Sequence, residues 1–396
     1  MVIIMSDIRT AVVGIGNMGS AHAESIFQGN INGLILSAVC DSNQKRLHSF
    51  ADAHPNIKAY DNFYDMIKSD EIDAVIIAVP HRFHADFAEI ALKEGKHVLV
   101  EKPIDITVSK AVSLNKAAEK SDKVFGIMFN QRTNPLFVKA RELVKSGQLG
   151  ELKSTVWIIT NWFRTQSYYD SGDWRATWAG EGGGVLLNQA PHNLDLWQWI
   201  CGMPESVMVF CDIGQYHNIE VEDNVRMLTR YKNGANGIFI TSTGEYPGTN
   251  RLEVSGDKGK LVLENGVLKW WKLQNPVSEV NANSNKFFAD IPYEYFEFKQ
   301  EQEESGHKGI LQNFADAINC GTELIAPGSD GIYELTLSNA AYLSQWKNNA
   351  EIPLPFDMAE FDAKLSEKAK SSKYVCAETD TIPSATYSER WKVKWK

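Results

Sequence analysis

The chain has no apolar run approaching the roughly 18–20 residues of a membrane span, and no block of lysine and arginine. It is acidic instead, with 40 Lys and Arg against 50 Asp and Glu and a net charge of −10. That balance argues against nucleic acid or a membrane surface as partner. Cysteine is scarce. Cys40, Cys201, Cys211, Cys320 and Cys376 are scattered, odd in number and form no C-x-x-C pair. They support neither a disulfide framework nor a zinc site, so no metal is expected and a reducing, cytoplasmic setting is. The opening MVIIMSDIRT lacks a basic start, a long apolar core and a cleavage site, and reads as a lead-in to a strand.

At roughly 100–200 residues per domain, 396 residues predict two domains, each able to bury its own core. The first third alternates strands and helices. IRTAVVG (Ile8–Gly14) is a buried, β-branched strand that runs straight into GIGNMG, and a helical SAHAESIF follows. Gly14, Gly16 and Gly19 thus fill G-x-G-x-x-G in its required context of strand, turn and helix. Gly14 makes the tight turn, Gly16 admits a pyrophosphate, and Gly19 lets helix pack on strand. The N–H groups of Asn17 and Met18 at the helix start face the phosphates. The next strand, LILSAVCD, ends in Asp41, where a carboxylate binds the adenosine ribose hydroxyls and repels a 2′-phosphate. NAD is therefore the expected cofactor. Lys45 and Arg46 keep NADP as the lesser alternative.

DAVIIAVP (Asp73–Pro80), KHVLVEKP (Lys96–Pro103) and VFGIMFN (Val124–Asn130) complete a doubly wound parallel sheet whose ligand lies at the carboxyl ends of the strands. The polar groups at those ends are Pro80 with His81 and His84, Glu101 with Lys102, and Asn130 with Arg132. His81 and His84 form an H-x-x-H without acid or cysteine companions, so His84 is expected to line the nicotinamide end or cap a helix. Pro103 restrains Lys102 to an extended backbone, aiming one cation at the mouth of the fold. From Leu149 to Phe298 strand-like segments dominate, with KNGANG and GDKG as hairpin turns. Within them, EGGGVLLNQAPHNLDLW places Asn188 and His192 four apart, a spacing that shares a helix face, after three glycines that would let backbone approach a ligand. Asn188 reads either as a hydroxyl-binding amide or as the cap of a helix that begins at Pro191. His192 reads as a general base or as a hydrogen-bonded core histidine. The aromatic cluster WIITNWFRTQSYYDSGDWRATW fits core and interface packing, or a platform for sugar faces.

GIGNMG, AVPHRFHA, EKP, FNQR and GGGVLLNQAPHNLDL, with two late helical segments (HKGILQNFADAINCG and GSDGIYELTLSNAAYLS), resemble the glucose–fructose oxidoreductase/inositol dehydrogenase (Gfo/Idh/MocA) family from Ile8 to about Trp346. The resemblance implies a Rossmann domain over residues 1–130. It implies an α+β domain with an open mixed sheet over 131–396 that binds substrate and joins subunits into a homodimer or homotetramer. The tail from about residue 354 is the part least defined. Catalytic roles carry over to Lys102, Asn188 and His192: His192 takes a hydroxyl proton while Lys102 donates to the same oxygen. Many members have Asp where this chain has Asn188, and an amide cannot ionise. Pro80, His84, Glu101, Lys102, Asn130, Arg132, Trp174 and Arg175 join Gly14, Gly16, Asn17, Met18, Gly19 and Asp41 on the cofactor side. Trp162, Arg164, Tyr168 and Arg175 join Lys102, Asn188 and His192 on the substrate side, and His307 either approaches the cleft or caps a helix.

The expected activity is NAD-dependent oxidation or reduction of a ring secondary alcohol in a sugar, glycoside or cyclitol, with C3 of a glycoside the specific position. Two alternatives stand: a glycoside hydrolase or lyase with tightly bound, internally recycled NAD, and a redox-inert NAD-binding sensor.

Overall fold

The structure, a computed structural model, describes residues 7–172, 174–300 and 304–373. The leading MVIIMS and the tail from 374 onward, with Cys376, lie outside these.

Six strands form a wholly parallel sheet: β1 (Ile8–Val13), β2 (Leu34–Cys40), β3 (Lys58–Tyr60), β4 (Ala74–Ile77), β5 (His97–Val100) and β6 (Phe125–Ile127), in the order β3-β2-β1-β4-β5-β6. The helices between them are α1 (Asn17–Phe27), α2 (Gln44–Ala53), α3 (Phe63–Ile67), α4 (His84–Lys93) and α5 (Val108–Ala118). The central strand β4 is fully buried, as a parallel sheet covered on both faces requires. The order reverses between β1 and β4, so the crevice above their carboxyl ends is the ligand site of this topology.

After β6 a short 3-10 turn (Asn130–Thr133) leads into α6 (Pro135–Lys145). Asn134 Oδ1 caps α6 by accepting from Leu136 N at 2.9 Å, and Pro135 supplies the preset first turn. The chain then builds β7 (Leu152–Ile159), α7 (Gln166–Tyr169), α8 (Pro191–Cys201), β8 (Ser206–Ile213), β9 (Glu222–Arg230), β10 (Asn236–Ser242), β11 (Asn250–Gly256), β12 (Gly259–Glu264), β13 (Val267–Leu273), α9 (Val277–Asn283) and β14 (Tyr293–Lys299). It ends with α10 (Gly306–Cys320), α11 (Gly331–Trp346), β15 (Ile352–Pro353) and α12 (Met358–Lys370). The second sheet has the order β14-β13-β12-β11-β7-β10-β9-β8-β15; β10 pairs with β7 in parallel and the other pairs are antiparallel. KNGANG and GDKG are the β9–β10 and β11–β12 turns. A third hairpin, β12–β13, turns on Asn265-Gly266, both with positive φ (52° and 70°), as a type I′ turn demands.

Helices α6, α8 and α11 cover one face of this sheet, with Trp157 and Phe239 of the sheet buried and Trp197 of α8 packed on Phe239. The late part of the chain also reaches back: Ile127 N donates to Ala326 O in the α10–α11 loop at 3.0 Å, and α11 packs on α5. Beyond Pro353 the chain continues as α12, whose Phe361 is fully buried and stacks on Trp346. Among the described residues no helix is long and apolar enough to cross a membrane.

Candidate functional site

The turn after β1 is built as its glycines require. Gly14 has φ +82°, and a Cβ on it would lie 2.6 Å from Ala78 O; a Cβ on Gly19 would lie 1.9 Å from Gly14 O. Both positions are closed to any side chain. At Gly16 an added Cβ would meet only Arg46 Nη1, at 3.6 Å, so the front of the turn is open. Gly16 begins α1 without a side-chain cap, which leaves the first-turn N–H groups, those of Asn17 and Met18 among them, for an anion. Asp41, at the end of β2, accepts from Ile15 N (3.0 Å) and Asn43 N (2.8 Å), and Arg46 stands 3.4 Å away. An open glycine, uncapped N–H groups and an anchored acid are the donor and acceptor set that a dinucleotide's pyrophosphate and ribose need.

Across the sheet, Glu101 and Lys102 come directly after β5. Buried Glu101 accepts from His22 Nε2 on α1 at 2.8 Å and from Lys102 N at 3.2 Å. His22 holds this carboxyl down to about 2 against the burial that would raise it. Glu101 therefore braces Lys102 from behind, and His22 is a residue that sequence reasoning missed. Lys102 Nζ donates to the backbone carbonyl of Asn188 at 2.8 Å, joining the carboxyl end of β5 to the glycine-rich stretch. Burial lowers the pKa of Lys102 below its usual value, with Glu101 the strongest opposing charge. Asn130, after β6, has its Oδ1 buried without a hydrogen-bond partner among the described residues, and its Nδ2 is 3.5 Å from His307 Nδ1. His307 does approach the cleft, and burial pulls its pKa down to about 4.

The glycines before Asn188 face inward, which corrects the expectation that they bring backbone to a ligand. Added Cβ atoms would strike Ile106 at Gly182, the Tyr342 hydroxyl at Gly183 and Glu222 O at Gly184. Buried Glu222 takes the N–H groups of Gly184 and Leu186, both at 2.9 Å, and the Tyr342 hydroxyl at 2.8 Å. The stretch is pinned to the core, and the pinning fixes where the next helix starts. Helix α8 begins only at Pro191, with Ala190 as its uncapped N-terminal residue. Asn188 thus lies on the turn before the helix and caps nothing; it does not share a helix face with His192. Its Nδ2 donates to Glu181, and its Oδ1 accepts from the Tyr168 hydroxyl at 3.2 Å.

His192, in the first turn of α8, is half-buried, with Nδ1 unpartnered among the described residues and the Phe129 ring at its edge. Burial, then Lys102 and His307, push its pKa well below 6.5, so the imidazole is neutral. Above this centre, Arg175 Nη1 donates to the Tyr168 hydroxyl at 2.9 Å, and Trp174 meets His81 edge-on at 5.4 Å between ring centres. The segment before the glycines thereby closes over the end of β4, beside Pro80. Arg164 lies over the rings of Trp162 and Tyr168, 5.6 and 5.1 Å from their centres.

Two residues assigned to the cofactor do other work. Arg132 is 1% exposed and gives Nε and Nη2 to Asp195 (2.8 and 2.6 Å) and Nη1 to Asp330 (2.6 Å) and Ile325 O. It clamps the turn after β6 to α8 and to the start of α11, and all three of its nitrogens are engaged there. His84 is wedged between two carbonyls, Nδ1 2.6 Å from Pro103 O and Nε2 2.7 Å from Val79 O; burial keeps the ring neutral, so one nitrogen donates and the other is covered, and His84 neither lines the cofactor with an open nitrogen nor caps a helix. Trp162 is only 6% exposed and donates to Asn193 Oδ1 at 3.3 Å; it is a wall beneath Arg164 and not an open platform. Among the described residues no three His, Cys, Asp or Glu gather as a metal site. Glu181, 1% exposed and joined to Asn188, is the second group that sequence reasoning missed.

Comparison with known proteins agrees with the two-part fold and its dinucleotide-binding first sheet. Residues 8–129 match the profile of an oxidoreductase family with an NAD-binding Rossmann fold, and residues 137–262 match the GFO/IDH/MocA C-terminal domain. The chain is 26% identical to a myo-inositol 2-dehydrogenase of Thermotoga maritima over 341 residues, 84% of this chain and 95% of that one. It superposes with a TM-score of 0.72 and 25% identity on the WlbA dehydrogenase of Bordetella pertussis, solved with NADH and UDP-GlcNAcA, over 89% of this chain and all of that one. A levoglucosan dehydrogenase solved with NADH and levoglucosan shares the fold (TM-score 0.73, 19% identity, 88% of this chain and all of that one).

Proposed function

From a chain that belongs to the Gfo/Idh/MocA oxidoreductases and uses NAD, we propose a dehydrogenase of a ring secondary alcohol in a sugar, glycoside or cyclitol, with C3 of a glycoside as the position oxidised. The observation that carries the proposal is the placement of Lys102. A braced, partly buried ammonium at the end of β5 donates to the Asn188 carbonyl, with the neutral imidazole of His192 among its electrostatic neighbours.

NAD, when bound, supplies the acceptor or donor of hydride. The remaining work falls to this chain. Gly14, Gly16, Gly19 and Asp41 hold the dinucleotide, and Trp174 closes the end of β4 against water. His192 accepts the substrate hydroxyl proton, which a neutral imidazole can do and an imidazolium cannot. Lys102, with two N–H groups beyond the one given to Asn188, donates to the same oxygen and stabilises negative charge on it. We further propose the division at about residue 130 and assembly into a homodimer or homotetramer through the uncovered face of the second sheet. In favour of that interface, Met208, Leu228, Ile238 and Val156 form one apolar row across β8, β9, β10 and β7.

The test is a screen of ring polyols and glycosides for NADH formation at 340 nm with purified protein, followed by NMR of the keto product. Turnover with a 3-keto product supports the full proposal. Aglycone release without NADH would replace it with the recycling hydrolase, and NAD binding with no turnover on any ring alcohol would replace it with the sensor.

A further inference from the structure

We propose that Glu181 is the positioning carboxylate of this site, the terminus toward which a chain of hydrogen bonds through Asn188 and Tyr168 is directed, and that Lys102 depends on it for its placement. The inference rests on the functional reading above for what Lys102 does.

The direction of the chain is set by which groups can donate. A carboxylate only accepts, so the side of the Asn188 amide facing Glu181 is its NH2. The other side is then the carbonyl, and the Tyr168 hydroxyl must donate to it, at 3.2 Å. With its one proton committed, the Tyr168 oxygen accepts from Arg175 Nη1 (2.9 Å) and Gln189 Nε2 (3.2 Å). From the other side Ala176 N donates to Glu181 Oε2 at 2.7 Å. Every donor in the network points to one buried side chain, and no other residue in the chain Arg175–Tyr168–Asn188–Glu181 is an acceptor only.

The same residue meets the catalytic lysine twice. The backbone carbonyl of Asn188 is the acceptor of Lys102 Nζ, so the tilt of residue 188 sets where the ammonium sits. Glu181 is also one of the carboxylates, with Glu101 and Glu334, whose charge supports the protonated lysine. Burial raises the pKa of Glu181, while Arg175, 3.8 Å away, then the Ala176 N–H and the Asn188 amide, and last Lys102 oppose this; the His81 ring faces its backbone. Of the other carboxyls near the cleft, Asp195 holds Arg132, Glu222 holds the glycine turn and Glu101 holds His22, while buried Glu334 has no hydrogen-bond partner among the described residues and takes no part in the chain through Asn188.

A relocation experiment tests this. Glu181→Gln is isosteric but places an NH2 group against Asn188, so the amide must turn and Tyr168 loses its acceptor. We expect kcat to fall about 10- to 100-fold, the size of a positional error near 1 Å, with NAD affinity and thermal midpoint retained. Asn188→Asp alone sets two carboxylates face to face and shifts the acid limb of kcat upward. In the double variant Glu181→Gln/Asn188→Asp the side-chain donors point at residue 188 instead, while Ala176 N keeps an oxygen at residue 181, and kcat should recover toward wild type. Recovery is a coupling that two independent structural losses would not produce. A Glu181→Gln variant with wild-type kcat, or a double variant that loses the sum of the single losses, overturns the proposal. Lys102 labelling by acetic anhydride, followed by peptide mass spectrometry across pH, gives a reading that needs no substrate. Labelling at neutral pH should rise in Glu181→Gln, roughly tenfold per pKa unit lost, and fall back in the double variant. Wild-type protein inert toward all ring alcohols defeats the functional reading; a Lys102 titration unchanged by Glu181→Gln defeats this one.

Discussion

Arg132 separates a structural charge from a functional one, and replacing it with Met makes the difference measurable. Met keeps an unbranched chain between the Phe129 and Trp199 rings, over both of which the guanidinium lies at 5.2 Å. It removes both N–H bonds to Asp195, leaving a carboxylate that is 1% exposed without its cation. Burial already lifts the Asp195 pKa, and Arg132 is the main group opposing it. Without Arg132 the carboxyl rises further and keeps a proton in the folded state. Holding an aspartic acid neutral at pH 7, roughly three units above its unfolded pKa of about 3.9, costs about 4 kcal/mol at 1.36 kcal/mol per unit. That is the ceiling on the electrostatic loss, and it matches the 3–5 kcal/mol typical of breaking a buried pair. The sign is fixed by linkage. The variant retains a proton that the wild type sheds, so its deficit is largest at neutral pH and shrinks toward about 1.5 kcal/mol at pH 5. Urea unfolding followed by tryptophan fluorescence at pH 5, 6 and 7 reads this as a pH-dependent difference in midpoints. NAD affinity, measured on the folded variant, should be unchanged. A variant with wild-type stability and weakened NAD binding would refute the clamp and restore Arg132 to the cofactor site.

Lys102→Met should lower kcat/KM by about 10²- to 10³-fold with the NAD dissociation constant unchanged, measured by steady-state kinetics and nucleotide fluorescence. The acid limb of the kcat/KM profile should lie below pH 6.5, because burial and Lys102 lower the His192 pKa and the neutral base survives until pH falls through that value; His192→Ala should abolish that limb along with most activity. Asp41→Ser should cut the preference for NAD over NADP by about tenfold or more, about 1.4 kcal/mol, since it removes the charge facing a 2′-phosphate beside Arg46. The ratio of kcat/KM for the two nucleotides checks this.

The first sheet is legible in the sequence because its signals are local. A strand, a glycine turn and a helix in direct succession leave one topology, and each later strand ends on a proline or a polar group at the crevice. In the second sheet, β13 is hard to see although Asn265-Gly266 marks its hairpin, because VLKWWKL mixes lysines into an apolar run. Asn188 and His192 look like helical neighbours from their spacing. The stretch does turn helically, Asn188 N bonding Gly184 O, but it breaks before Pro191, where the glycine turn anchored by Glu222 meets the helix. That anchor comes from β9, far along the chain, so no local pattern carries it.

Glu181, Arg132 and His84 defeat sequence reasoning for one common reason, and it shows what assigns a role at such a site. A polar side chain acts on a ligand only through hydrogen-bonding capacity that the fold has left uncommitted. Arg132 sits at a strand end as a cofactor ligand would, yet Asp195, Asp330 and Ile325 O take its donors. His84 has a carbonyl oxygen against each ring nitrogen, so its one N–H is spent and its other nitrogen is covered. Lys102, one residue among 40 Lys and Arg, gives a single N–H to Asn188 O and keeps the rest. His192 keeps Nδ1 and Asn130 keeps Oδ1. Lys102, Asn130 and His192 stand at the end of β5, the end of β6 and the start of α8, with the committed residues around them. Sequence names the residue types that are capable of chemistry. Which of them still have a donor or acceptor to offer depends on distant partners, 63 residues apart for Arg132–Asp195 and 231 for Val108–Asn339. By this criterion Glu181 belongs with the supports: both its oxygens are taken, and its influence on substrate runs through Asn188 and Lys102, which is why moving its charge to residue 188 should preserve function while deleting it should not.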